Sequence, residues 1–75
     1  METWNRWRAQ HPEARIDLSG ADIDILNLVS VDLHEANLSK ANLAGADLTK
    51  ADLRRASLVM ANLEGAVLLF ANLVR

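Results

Sequence analysis

The sequence predicts an all-β fold: a β-solenoid built from short turning units, preceded by a short helical cap. Two observations predict the solenoid and a third sets the cap apart. Leucine recurs at Leu38, Leu43, Leu48 and Leu53, with alanine two residues earlier at Ala36, Ala41, Ala46 and Ala51. Asn or Asp stands between each Ala and its Leu, and two variable residues follow. This pentad continues in one phase from Ile16 to Arg75, twelve units covering 60 of the 75 residues. Residues 1–15 depart from it, holding both tryptophans, the single proline and three of the eight basic residues. The expected organisation is therefore a cap over residues 1–15 and a solenoid over residues 16–75.

In the first segment, Thr3 is the expected N-cap of a short helix. Trp4 and Trp7, three apart, share one helical face, with Arg8 and His11 near that stripe. Pro12 disfavours helical backbone at His11 and ends the helix there. A helix of roughly eight residues is unstable alone in water and needs a surface to lie on. Two indoles laid over the open end of the repeat core meet that need. Trp4 and Trp7 are therefore the expected N-terminal cap residues; the alternative is an aromatic hook for a partner.

From Ile16 onward neither simple period fits. Leucines five apart would spiral around a helix, and in a continuous strand they would alternate between faces. The triplet Ala-Asp-Leu reads in–out–in, the pattern of a short strand. The next two residues must then turn the chain so that the following triplet points inward again. Turning repeatedly in one sense winds the chain into a coil with Leu and Ala along its axis.

The pattern A(D/N)LXX over residues 16–75 resembles the pentapeptide-repeat family. The opening WNRWRAQHPEARIDLSGADI is also similar to the Trp-containing lead-in of many such repeats. The resemblance implies a right-handed quadrilateral β-helix with four pentads per coil, hence three coils, in keeping with the hand of parallel crossovers. At a strand spacing of about 4.8 Å the stack would stand about 14 Å tall. The inward Leu position is apolar in all twelve units. The inward small position is Ala from Ala36 to Ala71, but Ile16, Leu26 and Val31 enlarge the first coil. Such widening suits an atypical end repeat meeting a cap.

With residue i stacked on i+20, the outward positions sort into four faces. One carries a charge column, Glu35 under Arg55 and His34 under Arg54, from which an exposed Glu35–Arg55 pair worth at most about 1 kcal/mol is expected. The last coil departs most. Val59, Met60, Val67, Leu69, Phe70 and Val74 fall at outward positions where earlier coils carry mostly polar residues, and Val67 replaces the Asp/Asn. An apolar cluster of this kind marks a candidate interface. The last coil also leaves Leu73 and unpaired edge groups open to pairing.

The remaining residues argue against chemistry. The motif's middle Asp and Asn residues are explained by bonding to nearby backbone at the corners. Asp24 and Glu64 lie off that middle position, about 10 Å apart in height, a separation comparable to that of inverting glycosidases. They lie two coils apart with no cleft implied. His11 and His34 lack companions at metal-ligand spacing. No P-loop or dinucleotide fingerprint is present, and the serines have no His–acid partner. No catalytic residue, cofactor or metal is therefore expected.

With no cysteine, the chain has neither disulfides nor thiolate zinc sites. No signal peptide or spanning segment is evident, so a cytoplasmic protein with no membrane association is expected. The expected function is a non-enzymatic structural or protein-interaction module, an accessory domain or fragment of a larger bacterial protein, binding a protein partner or itself through the C-terminal coil. The resemblance also implies an alternative, DNA mimicry directed at a type II topoisomerase such as gyrase. Magnitude counts against it. About 14 Å of B-DNA carries roughly 8 negative charges, whereas residues 16–75 hold eight acidic against five basic residues, a net −3. Nucleic-acid binding lacks aromatic residues interleaved with arginines. An enzyme is retained only as a contrast.

Overall fold

The computed structural model describes residues 2–74. One helix, α1 (Glu2–Gln10), precedes the repeats. It closes with the His11 amide donating to the Trp7 carbonyl at 3.0 Å. Pro12 and Glu13 then turn away from it. Thr3 lies inside this helix instead of capping it.

The pentads stack at an offset of 20 residues. Eight parallel bridges join them in four columns, Asp17–Asn37–Ser57, Asp22–Asn42–Asn62, Asn27–Asp47–Val67 and Asp32–Asp52–Asn72. Each column therefore has three levels, and residues 16–35, 36–55 and 56–74 form three tiers. The expected strand triplets contract to single bridging residues, with no longer strand among the described residues. The reason lies in the turns. The amide of each following Ala donates back to the preceding Leu carbonyl, as from Ala41 to Leu38 at 3.0 Å. The residue before that Ala has positive φ, 61° at Lys40 and 68° at Gly45. With negative φ at the residue preceding it, this is a type II turn. A turn every five residues leaves no room for more than one ladder residue between corners.

Side chains secure the corners. In nine pentads the Asp or Asn side chain accepts the backbone amide two residues on, as Asp47 Oδ1 does from Thr49 at 3.1 Å. These local bonds hold the chain at the start of each turn. Val67 cannot make one, yet it still bridges to Asp47, because the ladder is a backbone property.

The core is asymmetric along the stack. Full burial runs from Val31 to Leu53, taking in the whole middle tier and only the last pentad of the first. Leu38, Leu43 and Leu48 are completely buried. Leu18, Ile23 and Leu28 below, and Leu58, Leu63 and Leu68 above, are only partly covered. Each middle-tier leucine is sandwiched between two others, whereas those at the ends have one neighbour. Burial of a leucine stabilises by about 1.5–3 kcal/mol, so most of the apolar driving force sits in the middle tier. Leu26, expected to widen the first tier towards a cap, is 49% exposed. The cap does not reach it.

Candidate functional site

The polar bonds of α1 to the first tier run along its last corner, from Ser30 to His34. Trp4 packs against the core and, with Val31 and Leu33, borders an apolar cavity of ≈ 260 Å³ that also touches Leu18, Ile23 and Leu28. Trp4 Nε1 donates to the Asp32 carbonyl at 2.8 Å. Asn5 Oδ1 accepts the Asp32 amide at 2.9 Å, and Asn5 Nδ2 donates to the Ser30 carbonyl at 2.8 Å. Trp7 does not lie on the core. It is 39% exposed, stacked between Trp4 at 5.8 Å and His11 at 4.4 Å. The tryptophan pair is thus an inner and an outer layer, with Trp4 the one packed on the core.

Arg8, which the sequence places beside the tryptophan stripe, is drawn into the interior. It is 1% exposed, the one charged residue in the interior among the described residues. Its Nη2 donates to the His34 carbonyl at 2.5 Å and its Nη1 reaches the Ala14 carbonyl at 3.4 Å, while Nε has no partner. Arg8 lies one helical turn beyond Trp4, on the same face. That spacing was the available signal, but a guanidinium on an apolar stripe reads as a solvated edge.

Arg8 Nη2 also lies 3.1 Å from His34 Nδ1, which faces Asp32 Oδ1 at 2.5 Å. A guanidinium only donates and an ionised carboxylate only accepts, so one ring nitrogen serves one of them. Assigning the proton to Nδ1 satisfies the shorter contact, to Asp32, and leaves Arg8 to the carbonyl. Stacking brings Asp52 to the same place, with Asp32, His34 and Asp52 offering ligand atoms within 4.8 Å of one another. Chain spacing could not show this, because Asp52 arrives from the next tier. Both Asp52 oxygens are already engaged by Arg54, Oδ1 by Nε at 2.8 Å and Oδ2 by Nη2 at 2.7 Å. Arg54 and Arg8 thus bring positive charge to the place a cation would take.

The hydrogen bond from the Arg54 side chain, foremost, holds the Asp52 carboxyl below its ordinary value, while partial burial works against it. Asp47 and Asp17 are lowered likewise, chiefly by the Thr49 and Ser19 hydroxyls at 2.6 Å. The expected Glu35–Arg55 pair is not among the ion pairs of the described residues. Arg54 pairs instead with Asp52 of its own pentad, and His34 hydrogen-bonds to Asp32 of its own.

Val59, Met60, Val67, Leu69, Phe70 and Val74 all lie exposed on the last tier, Phe70 at 83%. They divide among faces: Val59 and Met60 on one, Val67, Leu69 and Phe70 on another, Val74 on a third. Asp24 and Glu64 share a column with Ala44 between them, which leaves an open face where paired carboxylates would need a cleft.

The model of the pentapeptide-repeat family matches residues 14–55, 32–68 and 47–75, with eight copies of the repeat. The chain belongs to the pentapeptide-repeat family. No match was found among curated proteins. Pentapeptide-repeat proteins are generally non-enzymatic structural or interaction modules, with a β-helix fold. The 20-residue bridge offset in this pentapeptide-repeat chain agrees with that fold. No described helix is long and apolar enough to cross a membrane.

Proposed function

We propose that this pentapeptide-repeat chain is a non-enzymatic interaction module, a right-handed quadrilateral β-helix of three coils. It docks protein through the outward apolar residues of its last tier. The observation that carries this is the exposure of Val59, Met60, Val67, Leu69, Phe70 and Val74 on a tier whose counterparts below carry Ser39, Lys40, Asp47, Thr49, Lys50 and Arg54. The backbone is the same in each tier, so the fold does not ask for these residues. Apolar groups kept outward where the fold does not require them support contact with another surface. The proposed setting is the cytoplasm, as a fragment or accessory domain of a larger bacterial protein.

The test is light scattering together with cross-linking capture, on the parent chain and on Leu69→Glu and Phe70→Glu. Self-association or specific capture that either substitution abolishes, with the fold retained by circular dichroism, is the expected result. A parent chain that stays monomeric and captures the same proteins as both variants overturns it.

A further inference from the structure

The two ends of the stack differ in their backbone polarity. Between tiers, every column carries the same three bonds. In the first, the Leu18 and Gly20 amides donate upward to the Asn37 and Ser39 carbonyls, and the Asn37 amide donates down to the Ile16 carbonyl. Each lower tier therefore offers two N–H groups and one C=O per column, and each upper tier one N–H and two C=O. The top of the last tier repeats the lower-tier set, for example Leu58 N–H, Met60 N–H and Ala56 C=O. The underside of the first repeats the upper-tier set, for example Asp17 N–H, Asp17 C=O and Ser19 C=O. Among the described residues these groups have no hydrogen-bond partner at the first three columns.

The fourth column is different. Its underside offers the Asp32 amide, the Asp32 carbonyl and the His34 carbonyl, and α1 satisfies all three through Asn5 Oδ1, Trp4 Nε1 and Arg8 Nη2. Two donors and one acceptor are what the top of a tier supplies. Three side chains of α1 thus stand in for one side of a missing tier.

We propose that the top of one copy of this chain and the underside of another are mutual partners, and that seated α1 is the stop that keeps them from stacking head to tail. Hydrogen-bond accounting selects this mode over a symmetric one. Two tops face to face would bring four N–H groups against two C=O per column and bury unmatched donors, which is costly. Top to underside matches two donors and one acceptor with two acceptors and one donor, leaving none over. The apolar parts also match. Leu58, Leu63 and Leu68 above and Leu18, Ile23 and Leu28 below are all half-covered, and stacking gives each the second neighbour that buries Leu38 completely. A heterologous contact that does not close grows without limit, so it calls for a stop. Occupying one column of four is enough, because a rigid tier cannot seat on three corners while a helix fills the fourth. The surface goes beyond the sideways-facing residues of the proposed docking site.

The test is the full chain carrying Trp4→Ala, Asn5→Ala and Arg8→Ala together, followed by sedimentation and electron microscopy. The expected result is open-ended, concentration-dependent assembly in steps of one chain, with the parent free of this growth. The parent keeps its top face but has its underside stopped, so adding it should terminate growth and shorten the assemblies. Mere unfolding or aggregation of the variant would not respond in this way. A folded triple variant that does not assemble, or assemblies whose length the parent leaves unchanged, overturns the proposal. Repeating the measurement with Phe70→Glu added separates the two surfaces. Stacking should persist there, whereas contact through the last tier's sides would be lost.

Discussion

Leu43 and Leu63 occupy equivalent positions in one column, one in the middle tier and one in the last. Replacing each by Ala removes the same atoms from different surroundings. Leu43 is 0% exposed, with Ile23 below and Leu63 above. Removing three buried carbons costs about 2.4 kcal/mol in transfer free energy at roughly 0.8 kcal/mol per carbon. The cavity left between two tiers brings the loss to about 3–4 kcal/mol, since the turns on either side fix the backbone against collapse. Leu63 has a neighbour on one side only, so Leu63→Ala should cost about half as much and leave a dent instead of a closed void. A chain of 75 residues has a total stability of roughly 4–11 kcal/mol. Leu43→Ala therefore removes roughly a quarter or more of it, and Leu63→Ala about half that share. Urea denaturation followed by circular dichroism measures both, provided the slope is unchanged. Equal losses would refute the view that stability is concentrated in the doubly covered middle tier.

Ile25 has φ of 63° and is 78% exposed, so it suffers left-handed backbone strain with little burial in return. Ile25→Gly should raise stability by about 0.5–1 kcal/mol after allowance for glycine's unfolded-state entropy, and a lower urea midpoint would contradict this. The carboxyls of Asp17, Asp47 and Asp52 are lowered from 3.8 in the folded chain. Their stabilisation is therefore complete above that value and is lost as pH falls from it through the lower folded values. The urea midpoint of the parent should drop below about pH 4, and Asp52→Asn should drop less steeply over that window. Equal slopes would show that the Arg54 contact does not set the acid response.

How much of this was legible in the chain depended on whether the cause was local. The inward leucines and alanines, the type of turn-forming residue and the use of Asp and Asn at corners all follow from five consecutive residues repeated in phase. The exposure of Phe70 and its neighbours was legible for the same reason, as residues standing where the repeat points outward. The three-residue strands were overstated, because a turn every five residues leaves one ladder residue per side. The expected Glu35–Arg55 pair does not form among the described residues, where Arg54 pairs with Asp52 of its own pentad.

The sequence by itself determined the solenoid and its inner and outer faces, since the pentad encodes a local geometry that admits one way of burying its leucines. Only the tertiary structure decided how the stack ends. Asn5 and Arg8 look like solvated residues of a short helix, and nothing in their spacing shows that they meet the backbone of Asp32 and His34. Trp4 and Trp7 look equivalent, yet one reaches the core and the other covers it from outside. The physical reason is that α1 has no repeat to copy. Its place is fixed by orphaned backbone groups some 25 residues away, and those exist only once the tiers have formed.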